Sequence, residues 1–399
     1  MYFNSPRKMS VKPKTNIADL FQNAKDSGTY LKICAPMVRY SKLEFRRLVR
    51  KYGVDLCFTP MTMTDSFCQS EKARQVEFST SDDDTPLIAQ FAANTVHEYL
   101  SSAEMVYPYV DGIDLNCGCP QRWAMQSGFG CALLKDPELM RDLTSTLRRN
   151  FPSDFSISVK VRVQKPLAQT ISLCQQMEKC GVTFLTVHGR TPKQKIKDPS
   201  NNEFLREVKQ SISIPMVANG DCKTLEDGDE MHRIIDCDGV MAARHILSNP
   251  TLFSGKYDTT PLECVQEWLN ICHAADQNIV FSVFHHHLTF MMEKLIQRKL
   301  RGPFNSFTKK QQVFDFIDTE LGLRPQPIYV PDNIKCVYDE TNYRNRLNDL
   351  KIETTKKKRE AYSSENTPGK FFLEKAKEDL EDSDCEEEEL FQTNMFDIV

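Results

Sequence analysis

Apolar and polar positions alternate between two rhythms along the first two thirds of the chain. Short, almost unbroken apolar runs predict strands at Leu31–Ala35, Leu56–Thr59, Leu87–Phe91, Gly112–Asn116, Ile157–Val163, Phe184–His188, Met216–Asn219 and Gly239–Ala242. Between them, apolar residues recur at helical spacing through Lys42–Lys51, His97–Tyr107, Pro137–Asn150, Ala168–Cys180, Asn202–Gln210 and Leu225–Ile235. Strands apolar on both faces are strands covered on both sides, and strand–helix alternation demands a parallel sheet. Eight such strands are the number that closes a barrel, so the expected fold class is α/β, a (β/α)8 TIM barrel. No G-x-G-x-x-G turn follows the first strand, which counts against an open doubly wound sheet.

The rhythm changes from Thr260 to about Leu323. Leu262, Val265, Trp268, Leu269 and Cys272 share one helical stripe, and Phe284, Leu288, Met291, Met292 and Leu295 share another. With no strand among them, they predict a small helical bundle. The expected organisation is therefore a polar lead-in over 1–28 with a short amphipathic stretch near Ile17–Ala24, a barrel over 29–258, a helical domain over 259–325, and a mostly disordered charged tail over 326–399.

Charge divides along the same lines. Residues 352–399 carry 7 Lys/Arg against 14 Asp/Glu, a net of −7, which leaves +3 on residues 1–351 of a chain whose total is −4. The folded part is thus mildly basic, which suits one patch facing a polyanion and is also ordinary for a protein that binds none. Lys294, Arg298, Lys299, Arg301, Lys309 and Lys310 cluster in the helical domain, and Lys356-Lys357-Lys358-Arg359 forms a basic knot ahead of the acidic run Glu386–Glu389. The 14 cysteines lie scattered, most of them in apolar runs. That is the usage of a reducing compartment, the cytosol or nucleus, and not of a disulfide framework. No apolar run is long enough to cross a membrane, and no secretory leader is expected.

Chemistry in a barrel gathers at the carboxyl ends of its strands. Here those ends carry Pro36, Met37 and Val38 after the first, Gln90 on the third, Asp114 to Pro120 along the fourth, Lys160 and Arg162 on the fifth, and His188 to Arg190 after the sixth. Asn219, Gly220 and Asp221 follow the seventh, and Ala243 and Arg244 the eighth, where barrels place a phosphoryl group. A lysine inside an apolar strand needs an anionic partner. A phosphate-tethered flavin would use all of these at once; from position alone a phosphorylated sugar fits nearly as well.

The run Asp114-Leu115-Asn116-Cys117-Gly118-Cys119-Pro120-Gln121-Arg122 resembles the active-site signature of the tRNA-dihydrouridine synthase family. Ala35-Pro36-Met37, Val187-His188-Gly189-Arg190-Thr191 and Ala218-Asn219-Gly220-Asp221 resemble its flavin-site motifs, in the family's order and spacing, and the likeness spans about residues 31–320. Arg39-Tyr40-Ser41-Lys42-Leu43 and Gln121-Arg122-Trp123-Ala124-Met125 are most similar to the eukaryotic branch acting at tRNA positions 20a and 20b. The resemblance implies an NAD(P)H-driven, FMN-loaded barrel that reduces uridine to dihydrouridine in tRNA. Cys119 would be the proton donor. Pro36, Met37, Val38, Gln90, Lys160, His188, Asn219, Gly220, Asp221, Ala243 and Arg244 would hold FMN, with Lys160 beside its ring. Asn116 would place the uracil, and Arg122, Arg190, Lys294, Arg298, Lys299 and Arg301 would contact the tRNA.

Two positions depart from the family pattern: Cys131 stands where alanine is common, and His245 where many relatives carry glycine. Cys117-Gly118-Cys119 has no second pair to complete a metal site. His285-His286-His287 cannot converge on one ion, because consecutive helical residues diverge by about 100°, and is expected as an exposed helix turn. No metal is expected, and a monomer is. The competing functions are an FMN barrel reductase of a small pyrimidine or enone, and a non-catalytic tRNA-binding relative.

Overall fold

The structure, a computed structural model, describes residues 14–275, 279–334, 336 and 343–353. Its centre is a closed barrel of eight parallel strands: Leu31–Cys34, Leu56–Phe58, Leu87–Ala92, Gly112–Cys117, Ser156–Arg162, Phe184–His188, Met216–Asn219 and Gly239–Ala242. Closure comes from pairing of the first strand with the eighth (Leu31 opposite Gly239, Cys34 opposite Ala242), and of the second with the third (Cys57 opposite Leu87). Each strand lies within two residues of its sequence expectation. A two-residue strand, Thr62–Met63, pairs in parallel beside the far end of the third strand, and the helices Thr64–Gln69 and Glu71–Glu77 follow it; the apolar pattern did not announce these three.

The amino-terminal end of the barrel is shut. Helix Ile17–Asp26 buries Ile17 and Phe21, and the Phe21 ring tilts against Phe184, at the start of the sixth strand, with centroids 5.1 Å apart. The lead-in is thus partly a structural plug. The open, carboxyl end is where strand register matters. It sets Lys160 opposite Asn116, Arg162 opposite His188, and His188 opposite Asn219, a row of polar side chains across four neighbouring strands.

Four helices, Leu262–Ala275, Phe281–Met291, Arg298–Asn305 and Lys310–Leu321, make up the helical domain. Trp268 is fully buried between Phe45 of the barrel helix Leu43–Arg50 and His287. The exposed histidine turn expected from sequence is corrected here. His285 and His287 are buried: His287 stacks on Phe45 at 4.4 Å and its Nε2 donates to the Tyr40 carbonyl (3.1 Å), while His285 Nε2 donates to the Phe304 carbonyl (2.9 Å). Helix Phe281–Met291 packs against the barrel on one side and its own domain on the other, so it has little free face to expose. Burial holds both imidazoles below their ordinary pKa, His287 at about 3, so they are neutral.

The boundary at 326 also moves. Gln326 N–H donates to Asn270 Oδ1 (2.8 Å), Arg47 donates to the Pro331 carbonyl (2.6 Å), and Ile334 forms an antiparallel bridge with Thr80. Cys336 is buried against the Met105 carbonyl. Residues 343–353 are helical. The basic knot and the acidic run lie outside the described residues. No helix among those described is long and apolar enough to cross a membrane.

One buried ion cluster ties helix Leu43–Arg50 to the turn before the third strand. Asp84, wholly buried, accepts from Arg46 Nε and Nη2 (3.0 and 2.5 Å), from Arg50 Nη2 (3.2 Å) and from Thr80 Oγ1 (3.2 Å). Burial pushes the carboxyl up, but Arg46 and Arg50 more than offset it and hold it below the usual carboxylate range. A depressed carboxylate contributes stability at neutral pH and loses it as pH falls through the folded-state pKa. Asp84→Ala leaves two guanidinium groups uncompensated and is expected to cost about 3–5 kcal/mol, read from urea unfolding at pH 7; a loss below about 1 kcal/mol would refute the role.

Candidate active site

The fourth strand ends in a turn that is fastened at several points. The Asn116 carboxamide is the central fastener: its Oδ1 accepts the Gly118 and Cys119 N–H groups (3.1 and 2.9 Å), and its Nδ2 donates to Gln90 Oε1 (2.8 Å). Gln90 Nε2 donates to Asp114 Oδ2 (2.8 Å), whose other oxygen accepts from Ser158 Oγ (2.6 Å). Burial lifts the Asp114 carboxyl to about 6, with Ser158, Gln90 and Lys160 opposing the rise. Arg162 Nε donates to the Gly118 carbonyl (2.7 Å), and Cys131 N–H to the Cys119 carbonyl (2.9 Å). Gly130 makes that last contact possible: its φ is 61°, and a Cβ there would sit 2.6 Å from the Cys119 oxygen.

These restraints present the Cys119 thiol at the mouth of the barrel, partly exposed. It packs, together with Val38, on an apolar cluster of Met61, Ala92, Ala124 and Phe129, so the segment after the first strand and the thiol turn share one support. Met37 is buried, and its N–H donates to Ser41 Oγ (2.9 Å). Burial raises the Cys119 pKa, against the pull of the Gln121 N–H, Arg162 and Lys160. Cys131 is more deeply buried and is pushed up to about 12. The Cys119 group is therefore a thiol at neutral pH.

Beside the thiol lies an excess of positive charge. Lys160 Nζ donates to Asn219 Oδ1 (2.9 Å), and burial, then Arg162, lowers its pKa to about 8. Asn219 is itself held by the Met241 carbonyl (2.9 Å). His188 is driven well below its ordinary pKa, first by burial and then by Arg162, Lys160, Arg190 and Arg244. Arg190 is buried and occupied internally: it bonds Asp221, the Asp198 carbonyl (2.6 Å) and the Ile196 carbonyl (3.2 Å). Arg244, at the start of helix Arg244–Ser248, makes no hydrogen bond or ion pair among the described residues, although half-buried. Gly220 has φ 124°, and a Cβ there would approach Ser200 Oγ to 2.5 Å and His188 Cδ2 to 3.0 Å. His245 sits in the helix with no positive φ, so the position needs no glycine. Cations gathered without carboxylate partners at the ends of neighbouring strands are a donor set for a bound anion such as a phosphate.

The candidates thus divide. Pro36, Met37, Val38, Gln90, Asn116, Cys119, Lys160, His188, Asn219, Gly220, Asp221, Ala243 and Arg244 all belong to the carboxyl-end segments of the barrel. Arg122 is exposed on the short helix Arg122–Gln126 just past the thiol. Arg190 faces inward, pairing with Asp221 and bonding the Asp198 and Ile196 carbonyls. Lys294 lines a cleft of about 80 Å³ with Lys223 and His245, and Arg298 and Lys299 are exposed, whereas Arg301 lies 3.7 Å from Glu293. Arg162 and Asp114 emerge as organisers that the motif reading passed over; the i, i+2 spacing of Lys160 and Arg162 on one strand face was the available signal. No group of three metal-ligating side chains converges among the described residues.

Residues 33–314 match the family described as dihydrouridine synthase (Dus). The chain belongs to that family. It is 44% identical over 298 residues to a human protein named tRNA-dihydrouridine(20a/20b) synthase [NAD(P)+]-like, a match covering 74% of this chain and 93% of the relative. It is 41% identical over 308 residues to the Schizosaccharomyces pombe tRNA-dihydrouridine(20a/20b) synthase [NAD(P)+], covering 76% and 92%. The Saccharomyces cerevisiae protein of that name is 37% identical over 280 residues, covering 69% and 75%. Family membership implies a flavin and NAD(P)H, and the cationic strand ends near Cys119 fit the anionic end of such a group.

A thiol with a raised pKa forms thiolate only at high pH. Iodoacetamide labelling of Cys119, followed by peptide mass mapping, is expected to climb with pH only beyond the ordinary thiol range near 8.5. A plateau reached below pH 8 would contradict the protonated resting state.

Proposed function

We propose that this family member reduces uridine to 5,6-dihydrouridine in the D-loop of cytoplasmic tRNA, at positions 20a and 20b, using FMN and NADPH or NADH. The observation that carries the reading is the Cys119 thiol, kept protonated by burial, on a turn fastened next to the cationic side chains Arg162 and Lys160. The 13 described cysteines are all unpaired, which suits work in the cytosol or nucleus.

FMN, when bound, supplies the hydride that adds to uracil C6. The chain's residues do the rest. Lys160 and Arg244 hold the anionic parts of the cofactor, and Asn219 keeps the Lys160 ammonium aimed across the strand ends. Asn116 has both oxygen lone pairs on the turn and one amide hydrogen on Gln90, which leaves one amide hydrogen to orient a uracil carbonyl. Cys119 gives its proton to uracil C5. The thiolate left behind is favoured by nearby Arg162 and Lys160 and regains a proton from solvent on its exposed side. The target base has to leave its stack to reach this face. Exposed Lys294, Arg298 and Lys299 on the helical domain meet the tRNA backbone by charge.

Single-turnover mass spectrometry on unmodified tRNA with the purified, NADPH-reduced yellow protein tests the reaction. The expected result is a gain of about 2 Da per reduced uridine, two hydrogens added, mapped to the D-loop. Reduced flavin that is reoxidised by free uracil and not by tRNA would replace this reading with a small-pyrimidine reductase. Cys119→Ala is expected to lower the single-turnover rate by about 10²- to 10⁴-fold; full activity would remove the proton-donor role. Changing Arg298, Lys299 and Arg301 together to glutamine is expected to weaken tRNA binding about tenfold and to flatten its salt dependence. Unaltered affinity would return these residues to a solvated surface.

A further inference from the structure

The chain contains two tryptophans, and they are used in opposite ways. Trp268 is wholly buried in the seam between the domains, whereas Trp123 leaves 49% of its surface in solvent. Trp123 is the exposed large apolar side chain of the turn that carries the thiol, four residues beyond Cys119. Chain reach limits the separation of their backbones to about 14 Å, so the exposed indole and the thiol belong to the same short segment past the fourth strand.

The exposure is imposed by the fold and is no sign of a loose loop. Ala124, the next residue, is fully buried against Met61, Ala92 and Phe129. The backbone of the turn is pinned at several points: Met125 N–H to the Gln121 carbonyl (3.0 Å), Phe129 N–H to the Ala124 carbonyl (2.8 Å), and Asn94 Nδ2 to the Ser127 carbonyl (2.9 Å). With Ala124 and Phe129 turned inward, Arg122 and Trp123 are turned outward. Phe129, the other aromatic residue of this turn, shows that the segment can bury a ring when packing calls for it. Arg122 beside the indole is exposed and makes no hydrogen bond or ion pair among the described residues. An indole face and an uncommitted guanidinium on one rigid turn are complementary to an aromatic base and the phosphate next to it. An apolar peptide would make no use of the cation, and a basic surface would be repelled by it.

We propose that Trp123 is a stacking platform for an unpaired base that neighbours the target uridine, with Arg122 on the adjoining phosphate, so that the pair positions the RNA strand as the target base turns toward Cys119. The proposal rests on the tRNA reading above. It makes Trp123 a positioning residue for substrate, apart from the proton transfer.

Steady-state kinetics with an unmodified tRNA transcript test it. Trp123→Ala is expected to raise KM for tRNA about tenfold, within the range of one lost base stack, with a much smaller change in kcat. Trp123→Phe, which keeps a ring face, is expected to recover most of that loss. Added transcript should also quench the indole emission of the wild type more than that of Trp123→Phe, which retains only Trp268. Arg122→Gln should reduce the salt slope of tRNA binding by about one contact. An unchanged KM in Trp123→Ala, with wild type still forming dihydrouridine, overturns the stacking role and leaves the reaction standing. Equal quenching in wild type and Trp123→Phe overturns it as well. A wild type that binds the transcript, quenches, and forms no dihydrouridine would keep the platform and remove the proposed reaction. A partner protein or a second copy of the chain on this turn would appear as an indole response to concentration without RNA, which also counts against the proposal.

Discussion

The site depends on one carboxamide. Asn116, one residue before the end of the fourth strand, has its oxygen taken by two successive N–H groups, those of Gly118 and Cys119, and its nitrogen anchored on Gln90. A residue just past a strand is ordinarily part of a mobile loop. Here it is fixed to the barrel wall through Gln90, Asp114 and Ser158, all buried. Low local dielectric strengthens each bond of such a chain and makes each unpaired member costly, so the network behaves as a unit. A proton donor has to be held within a fraction of an ångström of its target, and this network, with the Arg162 and Gly130 contacts, supplies that stiffness.

Electrostatics around the turn serve two ends. Burial keeps the Cys119 proton in place, while Arg162 and Lys160 stand near enough to favour the thiolate once the proton has gone. The same cations, with Arg244, outnumber the free carboxylates at these strand ends, because Asp221 is already paired to Arg190. The protein alone therefore carries an uncompensated positive field at its strand ends. That arrangement favours a bound anion, which would offset both the burial and the cation repulsion that lower the Lys160 and His188 pKa values.

The helical domain is mounted on the barrel by a dry seam. Trp268, Phe45 and His287 interlock, and His287 bonds the carbonyl of Tyr40, three residues past Met37. The helical domain and the segment after the first strand are thereby held by one contact. Neutral histidine suits the place, since it fills an apolar gap and still satisfies a backbone oxygen.

The sequence by itself determined the barrel, its eight strands to within two residues, the C-terminal helices and the position of Cys119 just past a strand end. Strands buried on both faces must be continuously apolar, helices must repeat near 3.6, and Cys119 lies in a contiguous motif; all three are written locally along the chain. Tertiary structure alone decided who partners whom. Gln90 reaches Asn116 and Arg190 reaches Asp221 only because strand pairing brings residues 26 and 31 apart in the chain alongside one another. His285 and His287 are buried because neighbours cover both sides of their helix, and residues 326–334 return to the body to meet Asn270, Arg47 and Thr80. Periodicity reports the environment a residue requires on its own element. It carries no information about which distant side chain completes that environment, because that choice belongs to loop path and register.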